Sequence, residues 1–238
     1  LICADRGVKG DFRVRDLLPI ISRDENKSTS TKIKENGKSI WTDPAKAYFS
    51  ARPSNERIQN LSSVRDLVND LKRKLRICDP YAGVGPGIIP ALFEYDLISH
   101  CYAGDLNPDA FELLELNLQE LISRNNDIKV NFVLKNIDAR KWKNEKENIG
   151  KIDLLLVNLP HDSINHLPDL IPLLSRGSLT KIRGWAIIDR AEIGDFENEI
   201  SKILEHMNAD IKSINSSEVK GFSSSKVFMR FETKQIIH

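Results

Sequence analysis

From Ser54 onward, Ile58, Leu61, Val64, Leu67, Val68 and Leu71 recur at helical spacing, with Ser54 placed to cap and Glu56 in the first turn. Beyond that helix, short apolar runs alternate with longer amphipathic ones. The pattern predicts strands over 75–79, 100–105, 129–135, 152–157 and 184–189, and helices over 87–95, 108–123, 165–174 and 195–207. Pro108 after Asn107 fits a helix start with Asn as cap, and Phe111, Leu114, Leu118 and Leu121 then form one buried face. Two strand-like runs, 210–220 and 226–234, flank Gly221-Phe222-Ser223-Ser224-Ser225, which reads as a hairpin. Ahead of the first helix, residues 1–50 alternate short apolar and polar segments with turn signals at Gly7, Gly10 and Glu35-Asn36-Gly37-Lys38. They predict a small β-rich module, with Asn26–Thr31 as an exposed loop. The division expected is 1–52 for that module and 53–238 for an α/β domain.

The chemistry concentrates where predicted strands end. Asp79-Pro80-Tyr81-Ala82-Gly83-Val84-Gly85-Pro86-Gly87 lies between an apolar run and a helix start, the arrangement that brings backbone close to a nucleotide-like ligand. Asp105 ends the next apolar run, placed to accept hydrogen bonds from ribose hydroxyls. The pair fits a dinucleotide or S-adenosylmethionine. The dinucleotide fingerprint wants a glycine where Ile88 stands, and Asn158-Leu159-Pro160 ends a third apolar run where many methyltransferases meet an acceptor nitrogen. Methyl transfer is the better reading. The layout is then that of a Rossmann-like class I methyltransferase, with a seven-stranded, mostly parallel sheet and a carboxy-terminal antiparallel hairpin.

Composition narrows this further. The 238 residues, 40% hydrophobic, suffice for one full α/β core and a small extra module. No apolar run reaches the length of a membrane helix, and the first residues do not read as a signal peptide. The start without Met suggests a fragment. Cys3, Cys78 and Cys101 share no metal-ligand spacing, which favours a reducing cytoplasm, with Cys78 and Cys101 as small core residues and no metal. Residues 1–76 carry 17 Lys/Arg against 10 Asp/Glu, and the remainder 18 against 24. A basic amino-terminal third suggests a polyanionic partner met by that end, although a solvated lysine-rich surface gives the same counts.

An ordered set of motifs runs along the chain. It comprises Gly10-Asp11-Phe12-Arg13, Lys34-Glu35-Asn36-Gly37, Ala47-Tyr48-Phe49-Ser50-Ala51-Arg52 and Asn55-Glu56-Arg57. It continues through Tyr81-Ala82-Gly83-Val84-Gly85-Pro86, Asp105-Leu106-Asn107-Pro108, Asp138-Ala139-Arg140 and Asn158-Leu159-Pro160. The set resembles one family, the archaeal and eukaryotic tRNA (guanine-N1)-methyltransferases acting at position 37. The resemblance departs at Ala51, at Gly87 and at Phe222-Ser223-Ser224. Family members usually carry a further RNA-binding domain ahead of this region.

The resemblance implies roles. Guanine N1 carries a hydrogen, so attack needs a base near N1 and a donor near O6. It gives these to Glu56 and Arg13, with Asn158 on the edge of the base. Arg15 stands two residues from Arg13, and on an extended strand both would face the same way, so either fits. Tyr48, Arg52 and Pro160 would contact the substrate, although Tyr48 equally suits a half-buried strand aromatic. S-adenosylmethionine would be held by Asp79, Tyr81, Gly83, Gly85, Asp105, Leu106, Asp138, Ala139 and Asn158. A turn role competes for Asp138, and a surface or capping role is expected of His161 and His166. The partner implied is the anticodon stem-loop of tRNA, with no membrane and a monomeric state.

Rival readings are an aminocarboxypropyl transferase of wybutosine synthesis, an exocyclic N-methyltransferase, and a non-catalytic tRNA-binding module. Gly83-Val84-Gly85-Pro86, Asn158-Leu159-Pro160 and the joint presence of Glu56, Arg13 and Asn158 favour methyl transfer to N1.

Overall fold

The computed structural model describes residues 1–23, 25–50, 54–94, 96–125 and 127–238. Two antiparallel hairpins come first, β1 (Ile2–Lys9) with β2 (Val14–Ile21) and β3 (Thr31–Glu35) with β4 (Lys38–Thr42). Helix α1 (Ser54–Leu71) follows, then β5 (Leu75–Asp79), α2 (Ile89–Leu92), β6 (Ile98–Gly104), α3 (Pro108–Arg124) and β7 (Asn131–Lys135). The chain continues through β8 (Leu154–Val157), α4 (Ser163–Leu170), β9 (Leu179–Asp189), α5 (Phe196–His206), β10 (Ala209–Gly221) and β11 (Lys226–Ile237). A seven-stranded sheet runs in the order β10-β11-β9-β8-β5-β6-β7. The five strands from β9 to β7 are parallel, and β11 and β10 close the sheet antiparallel.

The strand–helix alternation, the closing hairpin and the strand-rich start are as the sequence leads one to expect. Asn107 caps α3, its side chain accepting from the Asp109 N–H at 3.1 Å, and Leu114, Leu118 and Leu121 are buried. Cys78 and Cys101 are wholly buried in the core. Among the described residues no helix is long and apolar enough to cross a membrane, and no group of His, Cys, Asp or Glu is arranged to hold a metal ion.

Four elements differ from expectation. The helix expected over 87–95 is one turn, Ile89–Leu92, with Pro90 in its first turn, where the missing N–H costs nothing; Tyr95 lies outside the described residues. The helix over 165–174 ends at Leu170 and gives way to a 3-10 turn over Ile171–Leu173, where Pro172 follows Pro168. Strand β9 starts at Leu179 instead of 184, since Lys181 and Arg183, polar by type, point into the interior. The inward face of α1 consists of Glu56, Asn60, Ser63, Val64 and Leu67, whereas Ile58 is exposed. Ser54 lies inside the helix and its hydroxyl bonds Asn36 at 3.3 Å.

The β3–β4 hairpin is fastened to the sheet domain through α3. Asn117 accepts from the Trp41 N–H at 2.7 Å and donates to the Trp41 and Val84 carbonyls at 3.0 and 2.9 Å. Ile40 and Ala47 share a buried cluster with Val84, Ile89 and Ala110. Asn117→Ala leaves one buried and two half-buried backbone groups without this partner and is expected to cost about 2–4 kcal/mol in urea unfolding. Hydrogen exchange at the Trp41 amide should accelerate in that variant while the β5 and β6 amides keep their protection.

Candidate functional site

Chain order in the parallel strands runs from β5 outward through β6 to β7, then returns to β8 on the other side of β5. In open α/β sheets ligands bind at such a reversal, in the crevice beyond the carboxyl ends of the strands. Asp79, Asp105 and Asn158 stand at or just past those ends.

After β5 the backbone turns tightly. Gly83 and Gly85 adopt φ of +56° and +96°, where an L side chain is strained. A Cβ at Gly83 would meet nothing within 4 Å, so that backbone faces open space, whereas one at Gly85 would meet Leu114 Cδ1 at 2.9 Å. The Gly83 N–H donates to Asp105 Oδ2 and the Asn107 N–H to Oδ1, both at 2.9 Å. Each Asp105 oxygen keeps a lone pair for a hydroxyl donor. Burial raises the Asp105 pKa, opposed by those N–H groups. Next to it Leu106 is 55% exposed, an apolar surface suited to a flat ring.

Asp79 is fully buried, and burial pushes its pKa up to about 7. Oδ1 accepts from the Tyr81 N–H at 3.1 Å, and no ion pair to Asp79 forms among the described residues. At Gly87 a Cβ would sit 3.1 Å from Asp79 Oδ2, and the Gly87 carbonyl accepts from Asn60 Nδ2 at 3.1 Å. Helix α1 thereby touches the end of the glycine turn, and Glu56, one turn before Asn60 on the same face, lies about 6 Å further along.

Glu56 is buried and its carboxylate is engaged. Oε2 accepts from Arg183 at 3.3 Å, from Trp185 Nε1 at 3.2 Å and from Arg230 at 3.3 Å. Among the described residues Oε1 accepts from Arg230 alone, at 3.1 Å, which leaves one lone pair open there. Arg183 in turn reaches Asn60 and Glu232, at 2.9 and 3.3 Å. The acid expected in the first turn of the helix is part of an ion-pair network.

Arg13 is not on a strand. It sits in the turn between β1 and β2 at φ +55°, and its N–H bonds the Gly10 carbonyl at 3.1 Å. Arg15 lies on β2 and pairs with Asp5 at 3.5 Å. The two arginines therefore do not share a face. The Arg13 side chain is exposed and makes no ion pair among the described residues. It lies close enough to His161 to help depress that imidazole's pKa, after burial and alongside Lys226.

Asn158 is exposed with no side-chain partner among the described residues, and the Pro160 carbonyl accepts from the Ile187 N–H at 2.7 Å. Tyr48 is 56% exposed. Arg52 lies outside the described residues. Asp138 caps the 3-10 turn over Ala139–Asn144 and pairs with Arg140 at 2.7 Å, which holds its pKa low. Here the competing turn role is occupied, and Ala139 is buried behind it.

His166 is not a surface residue. Tyr81 Oη meets its Nδ1 at 2.7 Å and Asp162 meets its Nε2 at 3.1 Å, joining the glycine turn to α4. Burial raises the Tyr81 pKa, keeping the phenol neutral. Sequence reasoning also missed Arg183, Trp185 and Arg230 around Glu56. The available signal was a pair of cations, Lys181 and Arg183, alternating along an otherwise apolar strand.

Sheet order, reversal point and glycine turn define the class: a class I methyltransferase fold with a site for a nucleoside-bearing cofactor. The sequence profile of the TRM5/TYW2 methyltransferase domain matches residues 31–186, more than half of the chain, and the chain belongs to that family. A relative in Methanocaldococcus jannaschii, the tRNA (guanine(37)-N(1))-methyltransferase Trm5b, is 41% identical over 112 residues, 47% of this chain and 29% of the relative. The tRNA (guanine(37)-N(1))-methyltransferase 1 of Vitis vinifera is 30% identical over 216 residues, 86% of this chain and 32% of the relative. The chain thus spans about a third of the length of these relatives. Among solved structures, that of aTrm5 with tRNALeu superposes with a TM-score of 0.72 at 24% identity, covering 98% of this chain and 60% of that one.

The residues present fit S-adenosylmethionine. An acid with open lone pairs, an exposed apolar side chain and an open glycine backbone suit its nucleoside, and the buried Asp79 suits its ammonium group. The folded-state pKa of Asp79 near 7 lies above the ordinary 3.8, so its ionisation opposes folding. The free protein should lose stability as pH rises from about 4 to 7, by up to about 1.4 kcal/mol per unit, and Asp79→Asn should flatten that slope. A cationic ligand reverses the preference. Calorimetry at pH 6 in buffers of different ionisation enthalpy should then show S-adenosylmethionine binding coupled to release of close to one proton, and Asp79→Asn should abolish the release.

Proposed function

We propose that this chain transfers the methyl group of S-adenosylmethionine to N1 of guanosine 37 in tRNA. The observation that carries the reading is the meeting of Asn60 with Gly87, beside the buried Asp79, with Glu56 one helical turn before Asn60 on the same face of α1. The names of the relatives, which specify guanine 37 and N1, support the substrate and the atom.

The cofactor supplies an electrophilic methyl group on a sulfonium. The chain's own residues make the acceptor nitrogen nucleophilic. Glu56 takes the N1 proton on Oε1, the oxygen with an open lone pair, while Arg183, Trp185 and Arg230 fix the carboxylate's orientation through Oε2. Arg13 donates to O6 from the exposed β1–β2 turn, offsetting the negative charge that builds as the proton leaves. Asn158 donates to or accepts from the edge of the base, and Pro160, fixed by the Ile187 N–H, walls it. Asp79, Tyr81, Gly83, Gly85, Asp105 and Leu106 hold the cofactor. Tyr48, Arg52 and the basic amino-terminal third meet the RNA. Extruding a loop nucleotide costs only a few kcal/mol of unstacking.

Mass spectrometry of nucleosides after incubation with tRNA transcripts and S-adenosylmethionine tests the reaction. The expected product is 1-methylguanosine. A heavier aminocarboxypropyl nucleoside, N6-methyladenosine or no product would each overturn the reading. Glu56→Gln should keep S-adenosylmethionine affinity within about twofold while methyl transfer falls by about 10²–10⁴, the usual range for loss of a general base. Near-normal turnover would leave Glu56 with its ion pairs alone.

A further inference from the structure

His161 and Phe222 meet edge to face, with ring centroids 5.7 Å apart and planes at 81°. Neither belongs to the reaction described above, and both are exposed, Phe222 to 48%. They arrive from opposite directions, His161 directly after Asn158-Leu159-Pro160 and Phe222 from the turn between β10 and β11. An exposed aromatic pair gains little from facing water, so its placement beside Asn158 calls for an occupant.

Both rings stand on fixed backbone. The Phe222 and Ser223 N–H groups donate to the Lys226 carbonyl at 2.9 and 3.0 Å, and the Ser225 carbonyl accepts from the Arg190 N–H at 2.9 Å. On the other side the Asp162 N–H closes a turn on the Leu159 carbonyl at 3.0 Å. Little ordering entropy is therefore lost when something lands there.

Lys226 and Arg13 flank the pair, and neither forms an ion pair among the described residues. The acids nearby have other partners: Asp162 meets His166 and Asn165, Glu218 meets Arg190, and Asp189, opposite Lys226 on β9, forms a capping box with Glu192. Aromatic faces beside uncompensated cations are how proteins hold single-stranded nucleic acid, stacking a base and meeting its phosphate.

We propose that His161 and Phe222 form a ledge on which a nucleotide adjacent to the target base stacks, with Lys226 meeting its phosphate. The inference rests on the RNA substrate reading and adds to it a binding site for the neighbouring nucleotide. Stacking on a side chain does not depend on base identity, so the ledge contributes affinity and register, not sequence choice.

The test is binding of a fluorescein-labelled anticodon stem-loop RNA to the full chain, read by anisotropy, with nucleoside mass spectrometry on the same samples. Phe222→Ala should weaken binding about tenfold, Phe222→Trp should retain it, and Lys226→Gln should weaken it and lessen its salt dependence. S-adenosylmethionine affinity, by calorimetry, should stay unchanged in all three. If Phe222→Ala binds RNA within twofold of the wild type, or if the wild type prefers a protein partner at this face over RNA, the ledge is overturned. Formation of 1-methylguanosine by the wild type is read separately, so loss of the ledge leaves the methyl-transfer reading standing, and loss of the product does not depend on the ledge.

Discussion

Lys181 and Arg183 carry their charges into the interior beneath helix α1, where Glu232 and Glu56 meet them at 2.9 and 3.3 Å. Ser63 donates to Glu232, and Asn60 accepts from Arg183 at 2.9 Å, so the inward face of the helix is polar for its first three turns. Burial lowers the Arg183 pKa, against the pull of Glu232 and Glu56. Such a seam contributes less net stability than an apolar one of equal area, because both partners are desolvated. What it gives is register. An apolar helix face can slide or rotate on a sheet, whereas a helix whose acid must find an arginine has one seat. That seat puts Asn60 on Gly87, with Glu56 one helical turn before it.

The glycine turn depends on the same seat. Gly87 has no side chain, and a Cβ there would press on Asp79 Oδ2 at 3.1 Å, so the approach of α1 and the burial of Asp79 are one arrangement. Burial of Asp79 without a cation leaves a site that favours a positive ligand. On the far side, Tyr81 meets His166, which meets Asp162, tying the glycine turn to the helix that follows Asn158. The glycine turn and α4 are thus coupled through hydrogen bonds, not through contact in the apolar core alone.

Much of this was legible in the sequence, and the reasons are particular. Helix α3 was clear because Asn107 and Pro108 mark its start and Leu114, Leu118 and Leu121 keep one face. The middle of the sheet was clear because β5, β6 and β8 are short, largely apolar runs that end at or just before an acid, glycine or asparagine. The α1 face was misread because its apolar residues suggested a stripe through Ile58, while burial went to Glu56, Asn60 and Ser63, whose partners come from strands more than 100 residues away. Strand β9 was cut short for the matching reason, since Lys181 and Arg183 look like loop residues until their acids are known. Local pattern registers apolar burial. It does not register polar burial that is satisfied at long range.

Under the proposed reaction Glu56 would hold two roles that pull in different directions. As the keystone of the seam it should be fully paired, yet as the proposed base it must offer a lone pair to a proton on the substrate. The division between its oxygens resolves this. Among the described residues three donors gather on Oε2, whereas Oε1 accepts only from Arg230, the more exposed of the two arginines, which also bonds Gln59 and Ser217. Arg230 can therefore shift toward those other acceptors without leaving a buried charge unpaired, and Arg183 can not, being held under the helix between Glu56 and Glu232. Proton transfer to Oε1 would weaken the attraction to both guanidiniums, but Arg183 keeps Glu232 in either state. The network is built so that the acid can change its charge without the helix losing its seat.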